Sequence, residues 1–412
     1  MAHFAVICQR VSFASLALIA IVLVLLNGWR WLHQSSMKIE PAHILLNRAP
    51  ISFVNKRNTP ASPLHSANVN GDVCEKKKPL LILMWEDYSD AHVSNEYLKY
   101  CSDLNCRITF DRSLINESSA IVHYDRTLNP SDLPPRKRLP HQHYVFFLME
   151  SAHYVSDVAF KMLQKDYYTL TMTFRRDSDI FCPFGYLKLR NPPLKTPLSV
   201  WMSIASSKRK KVVWVVSFCY TTSQRELYVA ELQKYLHVDT YGYCGTSKCP
   251  KIAIAGMQQS TCEETFKKNY KFYIAFENSA CKDFVTEKIF NRVESHMVPI
   301  VMKRSFYEPL LPKGSFIAAD DFKSPKELAK YIDYLNGNLT AYIEYYKWKD
   351  NYEAVPFPGG YHIGMCQLCG RLRADAGVGA VYPSESATDI DKWYKGRSEC
   401  LPGYGKSLIN RK

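Results

Sequence analysis

Residues 271–290 place charged and polar side chains where a strand, a loop and a helix are predicted to meet. An apolar run at 272–276 ends in Glu277 and Asn278, and Lys288 follows in the first turn of the next predicted helix. A cation at that end opposes the helix dipole, and natural helices place Lys there when an anion docks on their exposed N–H groups. The pattern therefore predicts an anion site, with a diphosphate as the expected ligand. A solvated surface Lys is the alternative.

The elements around these side chains form a predicted βαβ unit. The strand at 272–276 is followed by a helix that Thr286 opens, and a second apolar run lies at 298–302. The buried face of this helix is predicted to carry Ile289, Phe290 and Val293. Because the two strands of such a unit are parallel, the loop after the first strand lies at the carboxyl edge of the sheet, where ligands of α/β proteins bind.

Length and composition limit the class of protein. The chain has 412 residues, which is too long for one ordinary core and indicates two domains. An apolar content of 47% and an aromatic content of 13% indicate a folded protein. The 53 Lys and Arg against 39 Asp and Glu give a net charge of +14, which suits an anionic ligand or surface. No arginine-rich array or aromatic–basic repeat supports nucleic acid, so no nucleic-acid partner is expected.

The amino-terminal segment predicts a membrane anchor. Residues 11–26 carry no charge and, with the residues that follow, can cross a thin bilayer. The sequence after them offers a poor cleavage site, which favours an uncleaved signal-anchor helix at 11–29. We expect a single-pass type II protein with a cytoplasmic head at 1–10. Residues 30–78, rich in Ser, Asn, Pro and Lys, form a predicted stem.

Cysteines and glycosylation sequons indicate a lumenal catalytic body. Twelve of the 13 cysteines follow the predicted anchor, as do the sequons at Asn116 and Asn338. Cysteines at this density favour disulfides in an oxidising compartment, and sequons mark the compartments in which N-linked glycans are added. The sequence therefore predicts a membrane-anchored protein whose body lies in the lumen.

Strands and helices alternate in both halves of the body, which predicts two α/β domains that face each other across a cleft. The first is expected at 79–205 and the second at 206–360, followed by a cysteine-containing C-terminal tail at 361–412. Besides the βαβ unit, the predicted strands lie at 80–85, 106–110, 120–124, 144–149, 212–216 and 238–241, and the predicted helices at 224–236 and about 325–335.

The segment 271–302 closely resembles the donor-binding signature of the α1,3-fucosyltransferases, glycosyltransferase family 10. Further segments are similar to that family in the same order along roughly residues 80–350. They are CRITFDR at 106–112, FRRDSDIF at 174–181, DTYGYCG at 239–245 and FIAADDF at 316–322. The resemblance implies a GT-B fold of two Rossmann-like domains, the first binding the acceptor and the second binding GDP-fucose.

Glu150 follows the predicted strand at 144–149, and the resemblance implies that it is the general base that takes the proton from the acceptor hydroxyl. Inversion at fucose C1 needs one such carboxylate, because an activated oxygen attacks directly. The family usually has Glu-Ser-Pro here, whereas this sequence has Ala152 in the place of the proline. The geometry of this loop is therefore not carried over from the family.

The resemblance also implies a set of donor-binding residues: Arg225, Tyr241, Glu277, Asn278, Glu287 and Lys288. Arg225 would hold the leaving diphosphate through two parallel hydrogen bonds, and Lys288 would act as a movable point charge. Glu287 would hydrogen-bond the nucleotide sugar. The family usually has Asn where this chain has Phe218, so any contact assigned to that Asn is lost or replaced.

Asp177 and Asp179 fit the DxD pattern by which another class of glycosyltransferase holds Mn²⁺. Such triplets are common by chance, and this one lies inside a segment that resembles the fucosyltransferases. A hydrogen-bonded structural turn is the expected role. No metal site and no required cofactor are predicted, and GDP-fucose is a substrate, although the chemistry is compatible with stimulation by Mn²⁺ or Mg²⁺.

Cys366 and Cys369 could form half of a zinc site or a redox pair, but no second CxxC accompanies them. The family resemblance implies instead that they tie back to the start of the catalytic body, with Cys101 and Cys106 as partners. The individual pairing is open at this stage. A further local bridge is expected among Cys244, Cys249 and Cys262.

The resemblance and the anchor together imply a Golgi membrane enzyme that moves L-fucose from GDP-β-L-fucose, with inversion, to O3 of a GlcNAc residue on glycoprotein or glycolipid glycans. One alternative is a weak or inactive fucosyltransferase-like protein that binds glycans, which the changes at Ala152 and Phe218 motivate. Another is a metal-dependent glycosyltransferase that uses the DxD triplet. The acceptor stays open among the N-glycan core GlcNAc, antennal N-acetyllactosamine and its GalNAc-bearing counterpart.

Overall fold

The computed structural model describes residues 78–86, 93–124, 131–155, 160, 165–249, 251–254, 257–260, 262–409 and 411. The predicted cytoplasmic head, the signal-anchor helix and the predicted stem up to residue 77 lie outside these residues. Within the described ranges, no helix is both long enough and apolar enough to cross a membrane.

The strands of the described residues are β1 (Leu80–Met84), β2 (Cys106–Thr109), β3 (Ser118–Tyr124), β4 (His143–Leu148), β5 (Leu170–Thr173), β6 (Ile180–Phe181), β7 (Tyr186–Leu189), β8 (Lys210–Val215), β9 (Val238–Tyr241), β10 (Lys251–Ile254), β11 (Met257–Ser260), β12 (Tyr270–Ile274), β13 (Val298–Val301), β14 (Ile317–Ala318) and β15 (Tyr352–Val355). A first sheet has the order β2-β1-β3-β4-β5-β6 and a second the order β14-β13-β12-β8-β9, and β10–β11 and β7–β15 form two further pairs.

Both large sheets are parallel throughout. All six residues of β4 and all five residues of β12 are buried, as expected for central parallel strands covered on both faces. The predicted α/β class with two parallel sheets is therefore confirmed. Because every strand of a sheet points the same way, each sheet has one carboxyl edge where the loops after its strands gather.

The α-helices of the described residues are α1 (Leu198–Ser207), α2 (Arg225–Leu232), α3 (Glu263–Asn269), α4 (Glu287–Phe290), α5 (Arg304–Tyr307), α6 (Pro325–Gly337), α7 (Leu339–Ile343), α8 (Gly360–Ala374), α9 (Glu385–Thr388), α10 (Ile390–Tyr394) and α11 (Tyr404–Ser407). Short 3₁₀ helices lie at Asn95–Leu104, Arg112–Glu117, Ala152–Tyr154, Val293–Ser295, Ala319–Asp321 and Glu344–Asp350.

The helix of the predicted βαβ unit is shorter than its sequence pattern indicates. Helix α4 is a single turn, and Val293 lies in the separate 3₁₀ turn that follows. The helical dihedral angles stop at Arg292, whose φ is −124° and whose Nε donates to Glu263 at 3.0 Å. The two strands of the unit are parallel as predicted, and Ile289, Phe290 and Val293 are buried as predicted.

The chain returns to the first sheet after it has built the second. Strand β15 pairs with β7 in antiparallel fashion, and helix α8 lies against the 3₁₀ helix Asn95–Leu104. Two disulfides, Cys101–Cys366 and Cys106–Cys369, fix that contact. The segment predicted as a C-terminal tail is thus, in its described part, a packed part of the body.

Gly360 tests how closely the first turn of α8 must approach the first half of the body. A Cβ at this position would lie 1.6 Å from the main-chain oxygen of Pro183. We expect Gly360→Ala to lower the free energy of unfolding by about 3 kcal/mol, because a main-chain atom must move. In the same helix a Cβ at Gly370 would lie 3.7 Å from its nearest neighbour. Gly370→Ala should be neutral or stabilising by about 0.5–1 kcal/mol in urea unfolding, and equal losses in the two variants would contradict this account.

Candidate active site

Glu150 lies at the carboxyl edge of the first sheet, two residues after the end of β4. The side chain is partly buried, and its carboxylate accepts a hydrogen bond from the main-chain N–H of Ser151 at 2.9 Å. The main-chain oxygen of Glu150 accepts from the hydroxyl of Tyr394 in α10. Both ends of this residue are therefore held by neighbours, which places the carboxylate at a defined position on the edge of the sheet.

Glu277 is the centre of the site on the second sheet. It follows β12, only 4% of its surface is exposed, and its carboxylate accepts from the N–H of Thr286 at 3.0 Å and from the Thr286 hydroxyl at 2.8 Å. The Lys288 ammonium lies 2.8 Å from the same carboxylate. Burial raises the pKa of the Glu277 carboxyl above its ordinary value, although the Lys288 charge opposes that shift.

Lys288 has a different partner from the one that the sequence pattern indicates. A one-turn helix has little dipole to oppose, and the ammonium is paired with Glu277 and lies 3.5 Å from the Glu287 carboxylate. Burial alone would lower the pKa of Lys288, but the two carboxylates outweigh it and raise that pKa above its ordinary value. The position of Lys288 in the first turn is thus explained within the protein by its ion pair with Glu277, and 26% of its side chain is exposed.

Arg225 opens α2 and lies beneath the end of β12 rather than on the surface. Its guanidinium donates to the main-chain oxygens of Phe276 at 2.5 Å and Phe218 at 3.2 Å, and the residue is 4% exposed. Burial lowers the pKa of Arg225, and the Glu277 carboxylate partly offsets that effect. The Nε of Arg225 and the Oδ1 of Asn278 are buried and have no hydrogen-bond partner among the described residues. Buried polar atoms of this kind are normally satisfied, which makes both atoms candidates for contact with a ligand.

The two carboxyl edges meet through a group of hydroxyl side chains. The Ser151 hydroxyl donates to the Ser279 hydroxyl at 2.7 Å, which joins the loop of Glu150 to the loop of Glu277. The Thr222 hydroxyl lies 3.1 Å from His153 Nδ1 and donates to the main-chain oxygen of Asn278 at 3.2 Å. Residues from both sheets therefore line one continuous site.

A charged contact accompanies these hydroxyl contacts. Arg176 donates its N–H to Asp283 at 3.1 Å and its Nε to the same carboxylate at 2.8 Å. Asp283 is 4% exposed and takes a positive φ of 62°, so the loop after β12 is fixed at this point. The loop of Glu150 on one edge and the loop of Glu277 on the other are thus in direct contact.

Comparison with known proteins identifies the family of this chain. Residues 205–393 match the family described as "Glycosyltransferase family 10 (fucosyltransferase) C-term", and residues 77–185 match "Fucosyltransferase, N-terminal". A 4-galactosyl-N-acetylglucosaminide 3-α-L-fucosyltransferase of Homo sapiens is 36% identical over 309 residues, which are 72% of this chain and 76% of that protein. The chain belongs to glycosyltransferase family 10. The predicted fucosyltransferase family and enzyme class are therefore confirmed.

One further relative and one solved structure are also similar to this chain. Alpha-(1,3)-fucosyltransferase fut-1 of Caenorhabditis elegans is 37% identical over 299 residues, covering 70% of this chain and 64% of that protein, so the match spans slightly less than two thirds of its length. A solved crystal structure of an α1,3-fucosyltransferase with GDP-fucose aligns with a TM-score of 0.49 at 16% identity, over 77% of this chain and 96% of that chain.

Tyr241 lies farther from the Glu277–Lys288 ion pair than the other donor-binding residues that the family resemblance implies. It ends the edge strand β9, and β8 separates that strand from β12, so the two strands are about 10 Å apart. Its ring packs on Phe266 at 4.8 Å between centroids, and its main-chain oxygen accepts from the N–H of Val216.

Phe218 replaces the usual Asn of the family. It is 49% exposed, and its ring lies 5.4 Å from that of Tyr154, which belongs to the first half of the body.

Asp177 and Asp179 are occupied by contacts within the protein. The Asp179 carboxylate accepts from the N–H and hydroxyl of Thr171 and from the hydroxyls of Ser384 and Ser386, at 2.6 to 2.9 Å. The Asp177 carboxylate receives two hydrogen bonds from Arg175. The triplet is thus held in a hydrogen-bonded turn.

The disulfides extend beyond the predicted set. Cys101–Cys366 and Cys106–Cys369 join the partners that the resemblance implies, and Cys249–Cys262 is a local bridge. Cys244 pairs with Cys219, which the sequence analysis left out. Cys281–Cys400, whose partners are 119 positions apart, is a further bridge outside the predicted set. His153 lies near this last bridge, but disulfide sulfurs are not the thiolates that a metal requires.

The two sequon asparagines differ in their surroundings. Asn116 is exposed in the 3₁₀ helix Arg112–Glu117. Asn338 is partly buried, caps α7 by accepting from the N–H of Ala341 at 3.1 Å, and donates to the Tyr334 hydroxyl at 3.1 Å. Glycosylation of both asparagines stays a prediction.

Thr286 tests the support of the buried carboxylate. Its hydroxyl donates to Glu277, and Val has nearly the same shape without the hydroxyl. We expect Thr286→Val to reduce the free energy of unfolding by about 2 kcal/mol, because a buried carboxylate loses a donor. Thr246 is exposed, and its hydroxyl makes only a 3.5 Å contact with Thr240. Urea unfolding of Thr246→Val should match the wild type, and a similar small loss in both variants would show that Glu277 does not need the bond.

Proposed function

We propose that this fucosyltransferase transfers L-fucose from GDP-β-L-fucose to O3 of a GlcNAc residue, with inversion, and that Glu150 is the general base. The observation that carries the proposal is the 2.7 Å contact between Ser151 and Ser279, which joins the loop of Glu150 to the loop that leads to the Glu277, Glu287 and Lys288 cluster. Membership of the fucosyltransferase family supplies the transferred sugar as a class.

The reaction is a single displacement. The Glu150 carboxylate takes the proton of the acceptor hydroxyl, the acceptor oxygen forms a bond to fucose C1, and the bond from C1 to the phosphate oxygen breaks. A β-linked donor then gives an α-linked product, and GDP leaves with the electron pair of the broken bond. Negative charge on the diphosphate rises as that bond breaks, so nearby cations stabilise the transition state.

Lys288 and Arg225 are the cations suited to this role, and both already have partners within the protein. In this structure Lys288 is paired with Glu277, and Arg225 donates to two main-chain oxygens. The Lys288 ammonium has three hydrogens and can keep Glu277 while it donates to a phosphate. The unpartnered Nε of Arg225 gives that residue one donor to spare. Two cations are enough to hold the diphosphate, so no metal is assigned to the reaction; stimulation by Mn²⁺ or Mg²⁺ stays compatible with it.

Glu287 and Asn278 are proposed to bind the rest of the donor. The Glu287 side chain is 43% exposed and can accept from a sugar hydroxyl. Asn278 Oδ1 lacks a partner among the described residues and can accept from a second donor group. Glu277 acts through Lys288 and Thr286, because its buried carboxylate is already satisfied by them.

The linkage and the acceptor rest on the names of relatives. Two relatives are named α-(1,3)-fucosyltransferases, and the human relative at 36% identity is named as acting on 4-galactosyl-N-acetylglucosaminides at position 3. A Pan troglodytes relative at 34% identity is named a 4-α-L-fucosyltransferase of 3-galactosyl-N-acetylglucosaminides. We favour O3 on the first set of names. Mass spectrometry of products from N-glycan core, N-acetyllactosamine and GalNAc-bearing acceptors decides the acceptor class.

The proposed location is the Golgi membrane, with the body in the lumen and a single type II anchor at 11–29. The uncharged run at 11–26 and the density of disulfides in the body support it. The competing proposal, a glycan-binding protein without activity, has the departures at Ala152 and Phe218 in its favour. Turnover of labelled GDP-fucose with a panel of GlcNAc acceptors separates the two.

Glu150→Gln tests the base. The amide keeps the size of the side chain and cannot accept the proton, so we expect kcat to fall by at least about 100-fold while the dissociation constant for GDP stays within about twofold. Glu344→Gln, at an exposed position on a 3₁₀ helix, is the matched control and should keep full activity. Substantial turnover by Glu150→Gln would remove Glu150 from the role of base.

Lys288→Ala tests the diphosphate contact. Loss of the ammonium should raise the dissociation constant for GDP by about tenfold or more, measured by calorimetry, because charge-assisted hydrogen bonds contribute more than neutral ones. Lys330→Ala removes an exposed lysine from α6 and is the control for net charge. Unchanged affinity for GDP in Lys288→Ala would refute the diphosphate assignment.

A further inference from the structure

A C-terminal stretch, residues 398–405, lies along the loop that carries the donor-side residues. We call this stretch the C-terminal clasp and residues 277–286 the donor loop. Cys400 of the clasp is disulfide-bonded to Cys281 of the donor loop. Two main-chain hydrogen bonds flank the bridge, from Leu401 N–H to the Ala280 oxygen at 2.8 Å and from Lys282 N–H to the Ser398 oxygen at 2.9 Å. The disulfide is thus the centre of a continuous main-chain contact.

The second half of the clasp contacts the turn before α2. Gly403 donates its N–H to the main-chain oxygen of Thr222, and Gly405 donates its N–H to the main-chain oxygen of Ser223, each at 2.7 Å. A Cβ at Gly405 would lie 2.5 Å from the main-chain oxygen of Gln224, so only glycine fits at this distance. The clasp therefore contacts two separate segments that both belong to the proposed donor site.

Those two segments also contact each other. The main-chain N–H of Ser223 donates to the main-chain oxygen of Asn278 at 3.0 Å. The Ser223 hydroxyl donates to the main-chain oxygen of Glu277 at 2.9 Å. Arg225 lies two positions after Ser223 in the chain. The clasp, the turn at 222–224 and the donor loop form a closed triangle of contacts, and none of the clasp contacts uses a side chain that we place in the chemistry.

The residues before the clasp extend the contact to the first sheet. Tyr394 donates its hydroxyl to the main-chain oxygen of Glu150. Arg175, which follows β5, donates to the oxygens of Tyr394 at 2.9 Å and Arg397 at 3.1 Å. The same stretch of chain is therefore fixed to both carboxyl edges.

We propose that the C-terminal clasp is a positioning element for donor binding: it holds the donor loop in the conformation that accepts the nucleoside diphosphate sugar. The inference deepens the proposed function and rests on it for the identity of the ligand. Nothing in the clasp contacts the reacting atoms, so its effect is on the fraction of molecules whose donor loop is ready to bind. If that fraction falls to about one tenth, the apparent dissociation constant rises about tenfold.

The test removes the bridge and compares it with another bridge. In Cys281→Ala/Cys400→Ala the KM for GDP-fucose and the dissociation constant for GDP should rise about tenfold, with kcat at saturating donor and the KM for the acceptor changed by less than about threefold. The control is Cys106→Ala/Cys369→Ala, because Cys101–Cys366, one turn away along α8, still ties that helix to the same region of the first half of the body. It should leave the donor constants unchanged.

A second variant avoids the disulfide. Gly405→Ala should push the clasp off the turn before α2 and raise the same donor constants, whereas Gly337→Ala, where a Cβ meets nothing within 4 Å, should not. A loss of kcat without a change in donor KM would overturn the positioning role. So would donor constants that stay at the wild-type value in both clasp variants.

Hydrogen exchange separates this inference from the proposed function. Amide exchange in residues 277–286 should rise at least about tenfold in Cys281→Ala/Cys400→Ala and stay at the wild-type rate in the control, whatever the ligand. If the wild type neither binds GDP nor turns over, the proposed function fails and exchange still decides whether the clasp orders the loop. Unchanged exchange in an active enzyme overturns the clasp alone.

Discussion

The burial of one carboxylate organises this active site. Glu277 comes directly after a central strand and is almost fully covered, which would be costly for a charge without partners. Its partners are the N–H and hydroxyl of Thr286 and the ammonium of Lys288, all at the start of the helix that follows the loop. To satisfy the carboxylate, the loop must return to where it began. The eight residues between Glu277 and Thr286 are therefore held as a closed turn at the carboxyl edge of the sheet.

The same turn connects the two halves of the enzyme. Ser279, within it, contacts Ser151 beside the proposed base, and Asp283 contacts Arg176 of the first sheet. Apolar contacts accompany them, since the ring of Phe284 in the same turn lies 5.1 Å from the ring of Phe174 after β5, measured between centroids. The proposed displacement depends on this contact, because the proposed base and the cations proposed to hold the diphosphate lie on different edges.

The sequence predicted β1, β2, β3, β4, β8, β9, β12 and β13 to within two residues, because each is a short apolar run between polar residues. It did not predict the other strands, such as β5 in the first sheet. The members of the candidate site followed from the family resemblance. Their contacts could not be predicted, since they depend on residues far apart in the chain. The pairing of Cys281 with Cys400 crosses 119 residues. Helix α4 is cut to one turn where Arg292 binds Glu263, a residue 29 positions away. The position of Lys288 predicts an external anion. Within the protein its partner is the carboxylate of Glu277, which the family resemblance places among the donor-binding residues.

The central claim is a direct displacement across the junction of two sheets, and the stereochemistry and position of the new bond test it most directly. Nuclear magnetic resonance of the product from GDP-β-L-fucose and a GlcNAc-terminated or N-acetyllactosamine acceptor reports both. The account predicts an α-fucoside on O3 of GlcNAc, with one GDP released for each bond formed. A β-fucoside, or release of free fucose without a new glycosidic bond in the presence of every acceptor of the panel, would contradict it.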